Sequence, residues 1–334
     1  MGLDTLSRSS AMEDLSNKKS SHGILSHPGD IHCIIFHLVT LFAYGCAFWL
    51  YQHPEKIHVT GPWSRLAFIC GAAIMLGWSS GIDLGVNFHN HTHRRIFRLN
   101  WLNTWFGRFW TFSAGWPSFF WWHAHIVVHH SNLLGPTDWT LPRIKPDGRA
   151  ENMFWYCIAH WPKRSTIELW RDFTSGRGQK GVGRKAIVEL CIFAVLWSIP
   201  FWIDWRMALG LWVLPQWFAN AWTIGPGMFV QHVSCVPKST LFPVNHSNTF
   251  RSRFFNLTTF NIGYHLEHHD YPAVHWTDLP KLHEQLTDKL EAGKAHILPF
   301  GYYRGAWYRN ELMMGDEFAG CRKQEELLAT DIRG

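Results

Sequence analysis

Three histidines lie within five residues in the stretch 261–269, whose sequence is Asn-Ile-Gly-Tyr-His-Leu-Glu-His-His. If this stretch is helical, His265, His268 and His269 occupy positions i, i+3 and i+4, so their imidazoles project from one side of the helix. At neutral pH these rings are mostly neutral, and neutral imidazoles are good ligands for iron, zinc or copper. The stretch therefore predicts a metal site, provided that other parts of the chain supply matching ligands.

Another histidine cluster lies at residues 89–93, where the sequence reads His-Asn-His-Thr-His. His89 and His93 are positions i and i+4, which places them on one face of a helix. His91 points about 200° away from His89, at roughly 100° per residue. We therefore expect His89 and His93 to bind metal and His91 to lie beside the ligands.

The remaining cluster lies at residues 123–130, where the sequence reads His-Ala-His-Ile-Val-Val-His-His. His125, His129 and His130 stand at i, i+4 and i+5 and are the expected ligands. His123 is the doubtful member, and we place it beside the ligands. His232 ends an apolar stretch and adds one more candidate ligand.

Nine imidazoles are too many for one metal ion, which takes roughly four to six ligands, but they fit two metal ions that share open positions. None of the seven cysteines forms a Cys-x-x-Cys pair, so neither an iron–sulfur nor a structural zinc site is expected. An all-nitrogen pair of redox metals indicates chemistry that needs oxygen and electrons. The predicted ligands are His89, His93, His125, His129, His130, His232, His265, His268 and His269.

Metal-bound imidazoles are usually oriented by a hydrogen bond to their second ring nitrogen. Asn261 and Glu267 are the favoured residues for this role because they lie inside the 261–269 stretch. The other available side chains are Asp83, Asp138, Asn245 and Asp270.

The composition indicates a membrane protein. The 334 residues include 21 Trp and 24 Phe, and 47% are hydrophobic. Only 17% are charged, below the roughly 25% of soluble domains. The net charge of +6 is explained by basic segments that flank apolar ones on one side of a membrane, and no long basic run indicates a nucleic-acid partner.

Four apolar segments of about the length that crosses a bilayer predict an all-α integral membrane protein. The predicted spans are 31–51, 66–84, 187–202 and 207–230. Segment 99–122 is apolar but is broken by Arg108, Gly115 and Pro117, so we expect a re-entrant or interfacial segment there. The predicted domains are a disordered arm at 1–30, a membrane domain at 31–299 and a C-terminal tail at 300–334.

Charge asymmetry predicts the orientation. The arm, the stretch around Arg94 and Arg95 and the region 131–185 are basic, whereas the loops 52–63 and 204–206 are nearly neutral. Both termini are then cytosolic, and so are all three histidine clusters, which form a cap on the cytosolic face.

The clusters resemble the three histidine boxes of the membrane fatty acid desaturase superfamily. The boxes are His-x-x-x-His at 89–93, His-x-x-x-His-His at 125–130 and His-x-x-His-His at 265–269, with three intervening residues in the second box where many members have two. Gln231-His232 matches the extra histidine of many members. The resemblance covers about residues 31–285.

This resemblance implies a non-haem centre of two Fe that activates O2 and removes two hydrogens from adjacent carbons of a long acyl chain. A narrow apolar tunnel is expected, with the aromatic segments 101–122 and 212–222 as candidate walls. The sequence His-Pro-Gly-Asp at 27–30 departs from the haem-binding His-Pro-Gly-Gly of cytochrome b5 at its last residue. Electrons are therefore expected from a separate ferredoxin, rubredoxin or cytochrome b5 with its reductase, at a bacterial inner membrane or the endoplasmic reticulum.

Alternative activities remain open within the same superfamily. The same boxes serve hydroxylases, ketolases, acetylenases and oxidative decarboxylases acting on fatty-acid, sphingolipid or carotenoid substrates. A histidine-rich metal transporter is a hypothesis from a different class. It predicts ionisable ligands in the middle of spans, whereas these clusters lie at or beyond span ends.

Overall fold

The computed structural model describes residues 23–143, 150–178, 180–302 and 304, and this part of the chain is mostly helical. Most of the predicted disordered arm at 1–30 and of the predicted tail at 300–334 lies outside the described residues. The chain divides into two compact units. Among the described residues, unit 1 comprises 23–123, 171–178, 180–224 and 273–277, and unit 2 comprises 124–143, 150–170, 225–272, 278–302 and 304.

Unit 1 consists of long apolar helices and shorter helical segments. Its α-helices are α1 (Asp30–Gln52), α2 (Pro62–Ile82), α3 (His89–His93), α4 (Asn100–Phe112), α5 (Ser118–Trp122), α8 (Val182–Ile203), α9 (Trp205–Ala208) and α10 (Leu214–Phe218). π-Helical segments lie at Asp83–Phe88, Leu209–Val213 and Ala219–Ile224, and a 3-10 turn lies at Pro54–Ile57.

Three helices among the described residues are long and apolar enough to cross a membrane: Asp30–Gln52, Pro62–His93 and Val182–Ile203. They correspond to the first three predicted spans. The predicted fourth span, 207–230, lies in a succession of α and π segments from Trp205 to His232 that is not among these three. The count of four spans therefore stays a prediction.

The second of these helices is longer than the predicted span 66–84. It continues through the π segment Asp83–Phe88 into α3, over 32 residues in all. Pro62 stands in its first turn, where the missing N–H of proline is no loss. The first histidine box is thus the end of a membrane-length helix and is positioned by it.

Helix α2 packs closely on the segment 205–224 through two glycines spaced four residues apart. A Cβ at Gly77 would lie 2.6 Å from both Phe218 Cβ and the Pro215 carbonyl oxygen, and one at Gly81 would lie 2.5 Å from Thr223 Cβ. Small residues at this spacing let helices in a membrane approach closely.

Unit 2 carries shorter elements. They are α6 (Met153–Trp155), α7 (Trp161–Ser175, whose last residues belong to unit 1), α11 (Gly225–His232), α12 (Arg253–Thr258), α13 (His265–Asp270) and α14 (Leu279–Ala292). A π-helical segment lies at Tyr156–His160. The π-helical segment His123–His130 begins with one residue of unit 1, and the 3-10 turn Trp276–Asp278 begins with two residues of unit 1. Strands β1 (Thr249–Phe250) and β2 (Ile297–Leu298) pair in parallel.

We expect Gly77→Ala to lower the free energy of unfolding by about 1–3 kcal/mol, because the added methyl group overpacks the contact with Phe218 and Pro215. The measurement is the thermal unfolding midpoint in detergent. Gly71→Ala is the matched control in the same helix, where a Cβ meets nothing within 4 Å. Equal midpoints for the two variants would contradict the packing.

Candidate metal centre

Four imidazoles of unit 2 converge on one point. The ligand nitrogens of His129, His232, His265 and His269 all lie within 4.8 Å of one another. The Nε2 atom of His265 is 3.3 Å from that of His232 and 3.1 Å from that of His269. The rings of His129, His232 and His265 are buried. Four neutral nitrogens around one point are a donor set that suits a transition-metal ion.

The protonation of His129 leaves one of its nitrogens for a metal. Its Nδ1–H donates to Asp138 Oδ2 at 3.0 Å, because a carboxylate can only accept. Asp138 in turn accepts from the Thr140 backbone N–H at 3.1 Å and from the Thr140 hydroxyl. The His129 Nε2 atom is buried and has no hydrogen-bond partner among the described residues.

His232 is oriented in the same way by the backbone. Its Nδ1–H donates to the His246 carbonyl oxygen at 3.1 Å, which leaves Nε2 facing His265. Burying a polar atom without a partner costs free energy. The orphaned Nε2 of His129 and the facing Nε2 atoms of His232 and His265 therefore fit a bound cation.

Burial keeps two neighbouring imidazoles neutral. Burial and the nearby His130 ring lower the pKa of His269 well below its usual value. Burial and the nearby His129 lower the pKa of His130 in the same direction. A neutral ring keeps the lone pair that a metal ion requires.

The third histidine box lies on the short helix α13, as the i, i+3, i+4 spacing predicted. The turn before it is tight. Asn261 has a positive φ of 59°, and a Cβ at Gly263 would lie 2.4 Å from the Phe250 carbonyl oxygen. Only glycine fits at 263, so this turn fixes where α13 begins.

The second box lies in the π-helical segment His123–His130. In a π-helix the backbone bonds run from i to i+5, so residues five apart return to nearly the same face. This geometry explains why both His129 and His130 can stand on the side of His125. The His130 ring stacks on His269 with centroids 4.3 Å apart.

Two pairs of predicted ligands have close nitrogens within their own units. In unit 2, ligand atoms of His125 and His268 lie within 4.8 Å of each other. In unit 1, the same holds for His89 and His93, whose ring centroids are 5.5 Å apart. All nine predicted ligands thus lie in the part of the chain that the structure describes, and four of them form the converging set.

His91 and His123 are both buried in unit 1. The Nδ1 atom of His91 accepts from the Ile96 backbone N–H at 3.3 Å, and its ring stacks on Phe88. His123 donates through Nε2–H to Asp172 Oδ2 at 3.2 Å.

Glu267 is fully buried and orients an imidazole outside the nine predicted ligands. It accepts from the Thr249 hydroxyl at 2.7 Å and from Nδ1–H of His283. Asn261 contributes through its backbone, since its carbonyl oxygen accepts from the Tyr264 N–H at 3.1 Å.

Asp270 follows the third box and binds three cationic or imidazole groups. Lys238 and Lys289 donate to it, and His246 Nε2 lies 3.4 Å from its Oδ1. Burial opposes ionisation, but the hydrogen bonds from His246 and Lys238 outweigh it and hold the pKa of Asp270 below its usual value. Asp270 thereby holds His246, whose carbonyl oxygen orients His232.

The other two candidate orienting residues bind elsewhere. Asn245 donates to the Lys294 carbonyl oxygen at 3.0 Å. Asp83 accepts from Nδ1–H of His37 at 3.0 Å and from the indole N–H of Trp110 at 3.0 Å. His246 and His283 are the functional neighbours that the sequence reasoning missed. The sequence could not reveal either of them. His246 acts through its backbone carbonyl, which every residue has, and His283 stands apart from the histidine clusters.

A family model described as fatty acid desaturase matches residues 63–301, which is more than half of the chain. The match includes all three histidine boxes and His232.

Two curated relatives match over short segments. A putative sphingolipid delta(4)-desaturase/C4-monooxygenase of Caenorhabditis elegans is 64% identical over 28 residues, which are 8% of each chain. A sphingolipid delta(4)-desaturase of Candida albicans is 59% identical over 27 residues, which are 8% of this chain and 7% of that protein. The chain thus spans less than a tenth of the length of the relatives that it matches.

We expect Asp138→Asn to weaken iron binding by about 10–100-fold, because an amide no longer holds the Nδ1 proton of His129 as strongly. The measurement is a competitive chelator titration of the purified chain. Asp172→Asn is the matched control, since Asp172 accepts from His123 and not from a predicted ligand. Equal iron affinity in Asp138→Asn and the unmodified chain would contradict the assigned role.

Proposed function

The chain belongs to the fatty acid desaturase family and is a desaturase-like oxidoreductase of the membrane, and from that premise we propose that it desaturates a long acyl chain with O2 at a histidine-ligated di-iron centre. The observation that carries this proposal is the converging set of His129, His232, His265 and His269. Neutral imidazoles without thiolates suit iron that cycles between oxidation states.

We assign one iron to that converging set. The second iron takes its ligands from the remaining predicted histidines. This assignment rests on the resemblance to the family, in which the three histidine boxes together hold both irons. The ligands proposed for the second iron are His89, His93, His125, His130 and His268.

The reaction balances with one O2 and two external electrons. Two hydrogens leave adjacent carbons of the acyl chain, and with two protons and two electrons from the donor they reduce O2 to two waters. Two bound irons would supply the activation of oxygen and the removal of hydrogen. Asp138 and the His246 carbonyl orient His129 and His232.

The protein's other task is to position an apolar chain and to exclude water. The segments 101–122 and 212–222 remain our proposal for the tunnel walls. Trp110 and Trp212, which belong to these segments, are almost fully buried in unit 1. Large buried indoles give a rigid apolar lining.

We propose four spans, with 207–230 as the fourth, and with both termini and the metal centre on the cytosolic side. The basic regions predicted from the sequence support this orientation. A separate ferredoxin, rubredoxin or cytochrome b5 with its reductase then donates electrons from that side.

A sphingolipid is the substrate class that the short curated matches favour, since both relatives are named sphingolipid delta(4)-desaturases. The name of one of them also includes C4-monooxygenase, so hydroxylation of the same lipid is the second candidate. The same centre can give either product. Desaturation removes a second hydrogen from the lipid, whereas hydroxylation adds an oxygen atom to it.

Expression of the chain with a reductase system, followed by mass spectrometry of total lipids, tests the proposal. We expect a new double bond in a long-chain lipid, seen as a loss of two mass units. His268→Ala should reduce the product at least about 100-fold, because it removes a proposed ligand of the second iron.

The control is Ser198→Ala, a half-buried position in α8 whose hydroxyl bonds only to the Val195 carbonyl among the described residues. It should make as much product as the unmodified chain. A hydroxyl group, a keto group or a chain shortened by one carbon in place of the double bond would rule out desaturation.

A further inference from the structure

A buried carboxylate lies inside the second membrane-length helix, which runs from Pro62 to His93. Asp83 is fully buried there. Its Oδ2 accepts from Nδ1–H of His37 at 3.0 Å, and its Oδ1 accepts from the indole N–H of Trp110 at 3.0 Å and from Nδ2 of Asn87 at 3.1 Å. These four residues form the Asp83 network. An ionisable side chain inside a span is costly and usually serves a function.

The three donors of the network come from three elements of unit 1. His37 belongs to α1, Trp110 belongs to α4, and Asn87 lies in the π-helical segment that Asp83 begins. All three are buried. The network therefore fixes the start of the π-helical segment against α1 and α4 and also holds a residue within the segment.

The backbone bonds locate one extra residue in this helix. The N–H of Asp83 donates to the carbonyl oxygen four residues back, as in an α-helix. The N–H of His89 donates to the Leu84 carbonyl oxygen, five residues back. The N–H of Arg94 donates to that of Asn90, again four residues back. The helix is thus α-helical on both sides of a single π turn, and the first histidine box begins where that turn ends.

A π turn changes the direction in which the following side chains point. An α-helix turns by about 100° per residue, so relaxation of the π turn to an α-helix would turn the first box by about 100°. Each residue would then take the direction that the next residue holds now: His89 that of Asn90, and His91 that of Thr92. His89 and His93 would stay together but would leave their present direction.

Packing prevents the helix before the turn from rotating instead. A Cβ at Gly77 or Gly81 would lie 2.6 or 2.5 Å from atoms of the segment 205–224, so α2 is held close against that segment. A π turn is rare and needs contacts that stabilise it over an α turn. The Asp83 network supplies such contacts, because Asp83 begins the turn and Asn87 lies within it.

We propose that Asp83 is a positioning residue for the first histidine box and that it acts by holding this π turn. The network sets the rotation of α3, and thereby the direction of His89 and His93, through the backbone of the turn. The consequence for iron rests on the proposed di-iron function, whereas the rotation of α3 is a property of unit 1 alone. The competing explanation is that Asp83 only fastens the helices together, which would affect stability and leave the direction of the box unchanged.

The first measurement uses the full chain in detergent without metal. Diethyl pyrocarbonate modifies accessible imidazoles, and mass spectrometry maps the modified histidines. His91 is buried and is not a proposed ligand, so it should be protected in the unmodified chain. Asp83→Ala removes all three hydrogen bonds of the network. We expect it to make His91 reactive, because Thr92, whose direction His91 would take, is only half-buried.

Deletion of Gly85 provides a rescue that only the proposed role predicts. Gly85 lies in the π-helical segment and has no side chain to lose. With one residue fewer, the segment forms an α-helix that leaves the first box in its present direction. Asp83→Ala combined with the deletion should therefore protect His91 again, and the deletion alone should leave it protected. A residue that only fastened helices would not be rescued by a deletion.

Ser80→Ala is the matched control, since it also removes a buried polar side chain from α2. The Ser80 hydroxyl pairs with that of Tyr44 at 2.9 Å, outside the network, so His91 should stay protected. Trp110→Phe keeps an aromatic ring and removes one hydrogen bond of the network. It should make His91 partly reactive, and it tests the proposal even if Asp83→Ala does not fold. The thermal unfolding midpoint of each variant is measured in parallel.

Iron loading of the same variants links the rotation to the metal. We expect Asp83→Ala to weaken binding of the second iron by about 10–100-fold, because His89 and His93 turn away from it. The iron at the converging set should remain bound. The combined variant with the Gly85 deletion should regain the second iron. The measurement is a chelator titration with Mössbauer spectra of each iron site.

Protection of His91 in both Asp83→Ala and Trp110→Phe would overturn the proposal. So would reactivity that the Gly85 deletion does not reverse, or equal reactivity in Ser80→Ala, since either result would assign Asp83 to stability alone. If His91 responds as expected but the unmodified chain binds fewer than two irons, the positioning role of Asp83 stands and the proposed di-iron function fails.

Discussion

The lone pairs of four converging imidazoles, three of them buried, are the constraint on which the candidate site depends. His129, His232, His265 and His269 point nitrogens at a common centre. The burial of His129, His232 and His265 excludes the water that would otherwise bond to their nitrogens. The pKa values of neighbouring rings are lowered, so the rings do not relieve the crowding by taking up protons. A cation at the centre would satisfy every nitrogen at once, and the surrounding backbone is arranged to keep this geometry.

Several local devices maintain that geometry. The carboxylate of Asp138 fixes the tautomer of His129, and the carbonyl of His246 does the same for His232. The turn at Gly263 sets the start of the helix that carries the third box. The π-helical segment His123–His130 brings residues five apart onto one face, which an α-helix would not do. Each device sets the direction of a ring, and the two hydrogen bonds also set which ring nitrogen can bind a metal ion.

Sequence reasoning recovered what depends on residue type and spacing. The helices of the first and third boxes, the three long apolar helices and the family were predictable, because helical periodicity and bilayer length leave clear patterns. It could not place the π-helical segments, whose extra residue per turn has no composition signature. It also missed His283, because the partner of Glu267 is chosen by tertiary packing, and the orientation of His232, because a backbone carbonyl is present at every residue.

We propose that these histidines together hold two irons. The most direct test is the iron content and Mössbauer spectrum of the purified chain, compared with those of His129→Ala. We predict two irons per unmodified chain, with a spectrum of two iron sites in nitrogen-rich surroundings, and clearly less iron in the variant. Fewer than two irons per chain after anaerobic loading with ferrous ion, or equal iron in the unmodified chain and in His129→Ala, would rule out a two-iron centre held by these histidines.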